Sequence, residues 1–223
     1  LQISLLDRNL IFKTNFSYKH FSEKFFALKV QNKLVSVIEV MVPNDAIPNL
    51  RESKPQWLVA DLRSDHAGET GAIWIYQGIL STTNEDVVKE FAQHHLATEL
   101  RHLEEIEKFL DKKDRSVLIP LWKILGFLTG ALPALIGPRA VFATISAVEN
   151  FVVAHYQAQI RRLRNENIHP HISSVLQSCR DDEAQHEAEA ASLISSQPGK
   201  LLRAWCCLIS VGSNFAVKLA RMI

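Results

Sequence analysis

Glu99-Leu100-Arg101-His102 and Glu183-Ala184-Gln185-His186 repeat the pattern Glu-x-x-His about eighty residues apart, each inside a helix-forming stretch. At about 100° per residue, groups three apart lie roughly 60° from one another on one helix face, within reach of a single metal ion. Each pair also has a glutamate upstream, Glu69 thirty residues before the first and Glu149 thirty-four before the second. The chain therefore reads as two halves of the form Glu, then Glu-x-x-His. Four glutamates and two histidines projecting from four helices make up the ligand set of a dinuclear carboxylate bundle, which constrains the chain to an all-α, four-helix core.

The charge balance supports the same reading. Each buried carboxylate costs several kcal/mol to desolvate, and four negative charges balance two divalent cations. Carboxylate oxygen with imidazole nitrogen suits iron or manganese, and no thiolate cluster points to structural zinc. A single Glu-x-x-His is most often a solvated helix edge. Two of them, each with an upstream glutamate and apolar neighbours, are not.

The neighbours of these residues refine the set. Asp65-His66-Ala67-Gly68-Glu69-Thr70-Gly71-Ala72 puts two glycines beside the first glutamate. Each costs about 0.8–1 kcal/mol relative to alanine in a helix interior, so something must need the space: close helix packing or a metal cluster near the backbone. Asp65, one turn before Glu69, could orient a ligand histidine through its second ring nitrogen, or be a solvated helix carboxylate. His66 falls outside the set because the two Glu-x-x-His histidines complete it. His95, one turn before Glu99, competes with His102, but only the i+3 spacing recurs in the second half. Glu99 and Glu183 project between helices and are placed to bridge two ions, while Glu187 reads as a supporting or surface carboxylate. Around Glu149 the helix is apolar, and Tyr156 lies seven residues on, beside His155. Either could bind an aromatic substrate, relay protons and electrons, or simply pack.

Composition describes one domain with room for a core: 223 residues, 47% hydrophobic and 22% charged. A formal charge of +1 gives no basic field, so nucleic acid is not expected as a partner. Cys179, Cys206 and Cys207 form no disulfide framework or zinc spacing; they read as small buried hydrophobes in a reducing compartment. Up to Ile38 the chain is lysine-rich with interspersed phenylalanine. Residues 1–53 are therefore expected to be an N-terminal extension or a targeting segment, with the working domain at 54–223. Pro43, Pro48 and Pro55 mark a linker. Helices are expected at roughly 57–80, 84–111, 117–136, 138–166, 169–195 and 198–222, with Thr83 or Asn84 capping the second and Pro138 and Pro170 in the first turns of the fourth and fifth.

Two of these segments are unusually apolar. Residues 117–137 carry one charge, Lys123. By length they could span a bilayer, but a crossing there would separate the two ligand halves, and in-plane burial avoids the conflict. The segment 201–212, followed by Lys218 and Arg221, combines apolar residues with flanking cations. Both could be core helices; together they describe a metal bundle with a greasy surface suited to a lipid substrate.

With these residues in hand, the chain resembles a known family. Asp65-His66-Ala67-Gly68-Glu69, Glu99-x-x-His102, Val148-Glu149 with His155-Tyr156-x-x-Gln159-Ile160, and Asp182-Glu183-x-x-His186 are similar to the signatures of the demethoxyubiquinone hydroxylases. Pro120-Leu121-Trp122 and Gly126-Phe127 extend the resemblance, which runs from about Leu62 to the C-terminus. It departs at Thr70, where some relatives have an aromatic, and in the text before His102; neither departure falls on a ligand.

The resemblance implies a ferritin-like four-helix bundle with two additional apolar, membrane-associating helices, and oxygen-dependent hydroxylation of a polyprenylated benzoquinone in ubiquinone synthesis. It implies two iron ions, one held by Glu69, Glu99 and His102, the other by Glu149, Glu183 and His186, with Glu99 and Glu183 bridging. Tyr156 is the candidate catalytic residue. NADH is the implied electron donor and dioxygen the co-substrate, with a lipid-binding accessory protein as partner. The implied location is peripheral on a membrane: the matrix side of the mitochondrial inner membrane in a eukaryote, the cytoplasmic face of the cell membrane in a bacterium. The alternative is a ferritin-like iron-binding or ferroxidase protein.

Overall fold

Apolar residues at helical spacing, punctuated by proline and polar turns, give six α-helices and no strand among the described residues. A computed structural model describes residues 53–196 and 198–223. The expectations for the N-terminal extension and most of the proline linker lie outside the described residues. The helices are α1 (Gln56–Thr82), α2 (Asp86–Glu107), α3 (Ile119–Ile136), α4 (Pro138–Glu166), α5 (Pro170–Ser192) and α6 (Lys200–Met222), with a 3₁₀ turn at Lys112–Asp114.

Proline occupies the first turn of α4 and of α5, where its missing N–H costs nothing. Gly137, at φ +128°, makes the turn between α3 and α4 in a region that disfavours a side chain. The second helix departs from expectation at both ends. Glu85, not Thr83 or Asn84, is its N-cap residue, and the Thr83 hydroxyl accepts the Glu85 amide at 3.2 Å instead. At the other end the helix stops at Glu107, before the 3₁₀ turn.

Helices α1, α2, α4 and α5 form the bundle as two hairpins, α1 against α2 and α4 against α5. Two apolar clusters fill it above and below the polar centre. Ile75, Tyr76, Ile79, Phe91, Phe142, Ile145 and Val148 belong to one, and Leu58, Leu62, Ile106, Ile160, Leu163 and Leu176 to the other. The hairpins meet mainly through long side chains, which leaves room between them for buried polar groups.

The remaining helices α3 and α6 lie against α1 and α4 outside the bundle. Helix α3 packs on α1 through glycine. A Cβ on Gly130 would run into the Ile75 carbonyl, 2.8 Å from Ile75 C, and a Cβ on Gly126 would come within 3.2 Å of Gly71 C. Backbone therefore touches backbone here, one of the two uses for glycine that the sequence left open. The outer face of α3 exposes Ile124, Leu128, Leu132, Leu135 and Ile136, and that of α6 exposes Leu201, Leu208, Val211 and Phe215. Among the described residues only α3 is long and apolar enough to cross a membrane, by length and composition. Helix α6 is amphipathic.

The cysteines divide. Cys179 is buried and burial pushes its thiol up, Cys206 is half-buried, but Cys207 is exposed on the outer side of α6, contrary to the expectation of three buried hydrophobes.

Candidate metal centre

The two hairpins bring Glu69 of α1, Glu99 and His102 of α2, Glu149 of α4, and Glu183 and His186 of α5 to one point in the middle of the bundle. Each is at most 4% exposed. Ligand atoms of Glu69, Glu99, His102 and Glu183 lie within 4.8 Å of one another, as do those of Glu99, Glu149, Glu183 and His186. Glu99 and Glu183 belong to both groups, so they occupy the shared edge between two positions.

Both histidines turn Nδ1 to the carboxylates. His102 Nδ1 is 2.9 Å from Glu183 Oε1 and 3.7 Å from Glu69 Oε2; His186 Nδ1 is 3.0 Å from Glu183 Oε2 and 3.3 Å from Glu99 Oε1. His102 Nε2 lies 3.1 Å from Asp182 Oδ2, which Arg101 Nη2 also reaches at 2.7 Å. With its proton on Nε2, held by Asp182, the ring offers the Nδ1 lone pair to a cation. Asp182 thus does what was expected of Asp65. That residue orients a histidine too, but a different one: His155 Nε2 is 3.0 Å and Gln159 Nε2 2.6 Å from Asp65 Oδ1.

A second repetition runs through the site. Tyr76 follows Glu69 by seven residues, as Tyr156 follows Glu149, and the pairs cross over. The Tyr76 hydroxyl of α1 donates to Glu149 Oε1 of α4 at 3.0 Å, and the Tyr156 hydroxyl of α4 donates to Glu69 Oε1 of α1. Each glutamate outside the shared edge is thereby held by the opposite hairpin. Tyr76 was missed in the sequence; the twofold Glu-x₆-Tyr spacing is the signal that could have found it. The other candidates fall outside the cluster. His66 reaches Glu107 Oε1 at 3.3 Å, Glu187 accepts from Ser146 at 3.0 Å, and His95 stacks edge-on against His186 with ring centroids 4.0 Å apart.

Four carboxylates cannot all ionise in so small a volume without positive charge. Burial, with the Glu183 charge adding to it, pushes Glu69 up to about 7. Burial and neighbouring carboxylates likewise raise Glu99 and Glu149 well above the carboxylate range. Burial would also raise Glu183, but hydrogen bonds from His102 and His186 hold it at about 2. The same contacts overcome the effect of burial on His102 and lift it to about 9. Glu69 Oε2 and Glu99 Oε1 remain buried without a hydrogen-bond partner. Unpartnered carboxylate oxygens, two inward-facing Nδ1 atoms and four negative charges fit a pair of divalent metal ions.

A cavity of about 340 Å³ opens beside this cluster. It runs between α1, α3, α4 and α6, and its walls are mostly apolar, with Trp122, Leu125, Phe151, Val152, Trp205 and Ile209 among them. At its inner end stand Glu69, Glu99, Glu149, Glu183 and Tyr156. Both helices with exposed apolar faces contribute to its walls, so the arrangement can bring an apolar molecule from that side to the carboxylates.

Residues 56–220 match the family described as Ubiquinone biosynthesis protein COQ7. The chain is similar to NADPH-dependent 3-demethoxyubiquinone 3-hydroxylase, mitochondrial, of Rattus norvegicus, 34% identical over 129 residues, 56% of this chain and 59% of that protein. It is 36% identical over 132 residues to 3-demethoxyubiquinol 3-hydroxylase of Rhodospirillum rubrum, again 56% of this chain and 59% of the relative. A third relative, the NADPH-dependent 3-demethoxyubiquinone 3-hydroxylase, mitochondrial, of Dictyostelium discoideum, is 30% identical over 177 residues, 76% of this chain and 79% of that protein. The chain spans 59% of the length of the first two relatives.

Proposed function

The chain belongs to the family described as Ubiquinone biosynthesis protein COQ7, and on that footing we propose that it hydroxylates a polyprenylated methoxybenzoquinone, using dioxygen, at a two-iron centre. The observation that carries this reading is the apolar cavity that ends on the four buried glutamates of the six-residue cluster. A storage or ferroxidase protein needs the side chains but has no use for a greasy cavity walled by two helices with exposed apolar faces.

In this reading Glu69, Glu99 and His102 hold one iron and Glu149, Glu183 and His186 the other, with Glu99 and Glu183 shared. When bound, the ions supply the redox chemistry that activates dioxygen. The protein does the rest. Asp182 fixes the His102 tautomer, Tyr76 and Tyr156 hold the outer glutamates, and the apolar walls exclude water from the reacting ring while its tail runs out past α3 and α6. Tyr156, at the inner end of the cavity and bonded to Glu69, is the residue placed to exchange a proton with the substrate.

The exposed faces of α3 and α6 support peripheral binding to a membrane, with α3 lying in its plane. The eukaryotic relatives' names say mitochondrial; for a eukaryotic chain the proposed surface is the matrix side of the inner membrane, and in a bacterium it is the cytoplasmic face of the cell membrane. The reductant is a nicotinamide nucleotide, NADH by the family resemblance or NADPH as in the names of the rat and Dictyostelium relatives, and a lipid-binding accessory protein delivers the substrate. The working domain is 54–223, with 1–53 an extension or targeting segment.

The test is to load the purified chain with iron and supply reductant, oxygen and a short-tailed demethoxyquinone. Mass spectrometry should find a product heavier by one oxygen with the wild type and none with Glu183→Ala. Oxygen consumption with Fe(II) but no modified quinone would instead favour the ferroxidase alternative.

A further inference from the structure

The glycines of this chain are of two kinds. At Gly78, Gly126 and Gly130 a Cβ would strike the backbone of a neighbouring helix. At Gly68 and Gly71, in the interior of α1, a Cβ would meet nothing within 4 Å, and neither residue has a positive φ. Neither packing nor backbone conformation asks for glycine there, and helix propensity disfavours it. What the missing side chains leave is cavity, because Gly68 and Gly71 both line the space in front of Glu69.

Asp65 and Glu69, 3% and 4% exposed, line the cavity on the same helix. From α4, Phe151 and His155 also line it, their rings stacked at 12° with centroids 6.0 Å apart. Bare helix backbone on one wall and stacked rings on another describe a slot for a flat ring.

We propose that Gly68 and Gly71 are specificity-determining residues: they form the α1 wall of the slot that takes the substrate's ring, and the side chains they lack set how heavily substituted a ring the site admits. The proposal rests on the quinone reading above and adds to it which residues measure the ring. A Cβ at 68 or 71 enters the slot without meeting any atom of α3 within 4 Å.

The test uses the full chain loaded with iron and kept without reductant, so that binding is read apart from turnover. The probe is 6-methoxy-3-methyl-2-geranyl-1,4-benzoquinone, with its analogue lacking the ring methyl, and the readout is quenching of tryptophan fluorescence, since Trp122 and Trp205 line the cavity. Gly68→Ala, Gly68→Val and Gly71→Val should keep two irons per chain and a Tm at or above that of wild type. Each valine should weaken binding of the methylated quinone at least tenfold and that of the smaller analogue less, with Gly68→Ala in between. Wild-type affinity in both valine variants overturns this inference while leaving the quinone reading standing. A fall in the Tm of Gly68→Ala also overturns it, by showing that the space is packed. No quenching of the wild type by either quinone overturns both.

Discussion

Replacing Gly130 with alanine puts one methyl group where α3 and α1 touch. The new Cβ would lie 2.8 Å from Ile75 C and 3.0 Å from Ile79 N, short of the 3.4 Å at which ordinary contact begins. Overpacking of this kind costs about 1–3 kcal/mol, and the upper end applies because both opposing groups are backbone with no rotamer to change. Alanine returns about 1 kcal/mol of helix propensity, leaving a net loss of about 2 kcal/mol. Gly68→Ala adds the same methyl group to open space and should gain up to about 1 kcal/mol. The two variants should then differ by about 3 kcal/mol, which for a domain of this size is a gap of about 6–12 °C in Tm. Thermal unfolding of both, followed by far-UV circular dichroism in one buffer, measures it. If Gly130→Ala melts at or above wild type, α3 does not press on α1 as described, and the wall of the cavity is wrong.

Further outcomes follow from the site. In the metal-free protein Glu69 and His102 sit at about 7 and about 9, and protons on them must leave when metal binds. Mn(II) affinity should therefore rise by about tenfold or more per unit between pH 6 and 7, with proton release detectable by an indicator dye; a flat profile would mean that these groups are not ligands. Asp182→Ala should weaken metal binding about 10–100-fold in a calorimetric titration, since it frees the His102 ring. Tyr76→Phe and Tyr156→Phe each strand a buried carboxylate oxygen, and each should destabilise the metal-free protein by about 1–3 kcal/mol in urea unfolding. Unchanged midpoints would remove the tyrosines from the site.

Helix order and the six cage residues were readable because both rest on spacing: a 3.6-residue period, and a Glu-x-x-His pair whose chemistry makes sense only when repeated. Helix boundaries were readable where proline sets them, as at Pro138 and Pro170, and less so at α2, where Thr83 binds the Glu85 amide from outside the helix. What escaped depends on contacts between hairpins. Asp65 and Asp182 are both aspartates within a helical turn of a candidate ligand, but only the packing of α2 against α5 brings Asp182 to His102 Nε2. The two uses of glycine also look alike in sequence. Close helix packing, one of the two reasons offered for Gly68 and Gly71, occurs where Gly126 presses on the backbone of Gly71, while the side-chain positions of Gly68 and Gly71 themselves face the cavity.

Metal content decides whether the repeated Glu-x-x-His is a dinuclear cage. After anaerobic loading with Fe(II) and removal of excess, elemental mass spectrometry should find two irons per wild-type chain. Glu183→Ala, which removes a carboxylate common to both ligand groups, should hold less than about one. Fewer than about one iron in the wild type, or two retained by Glu183→Ala, would contradict the shared six-residue centre.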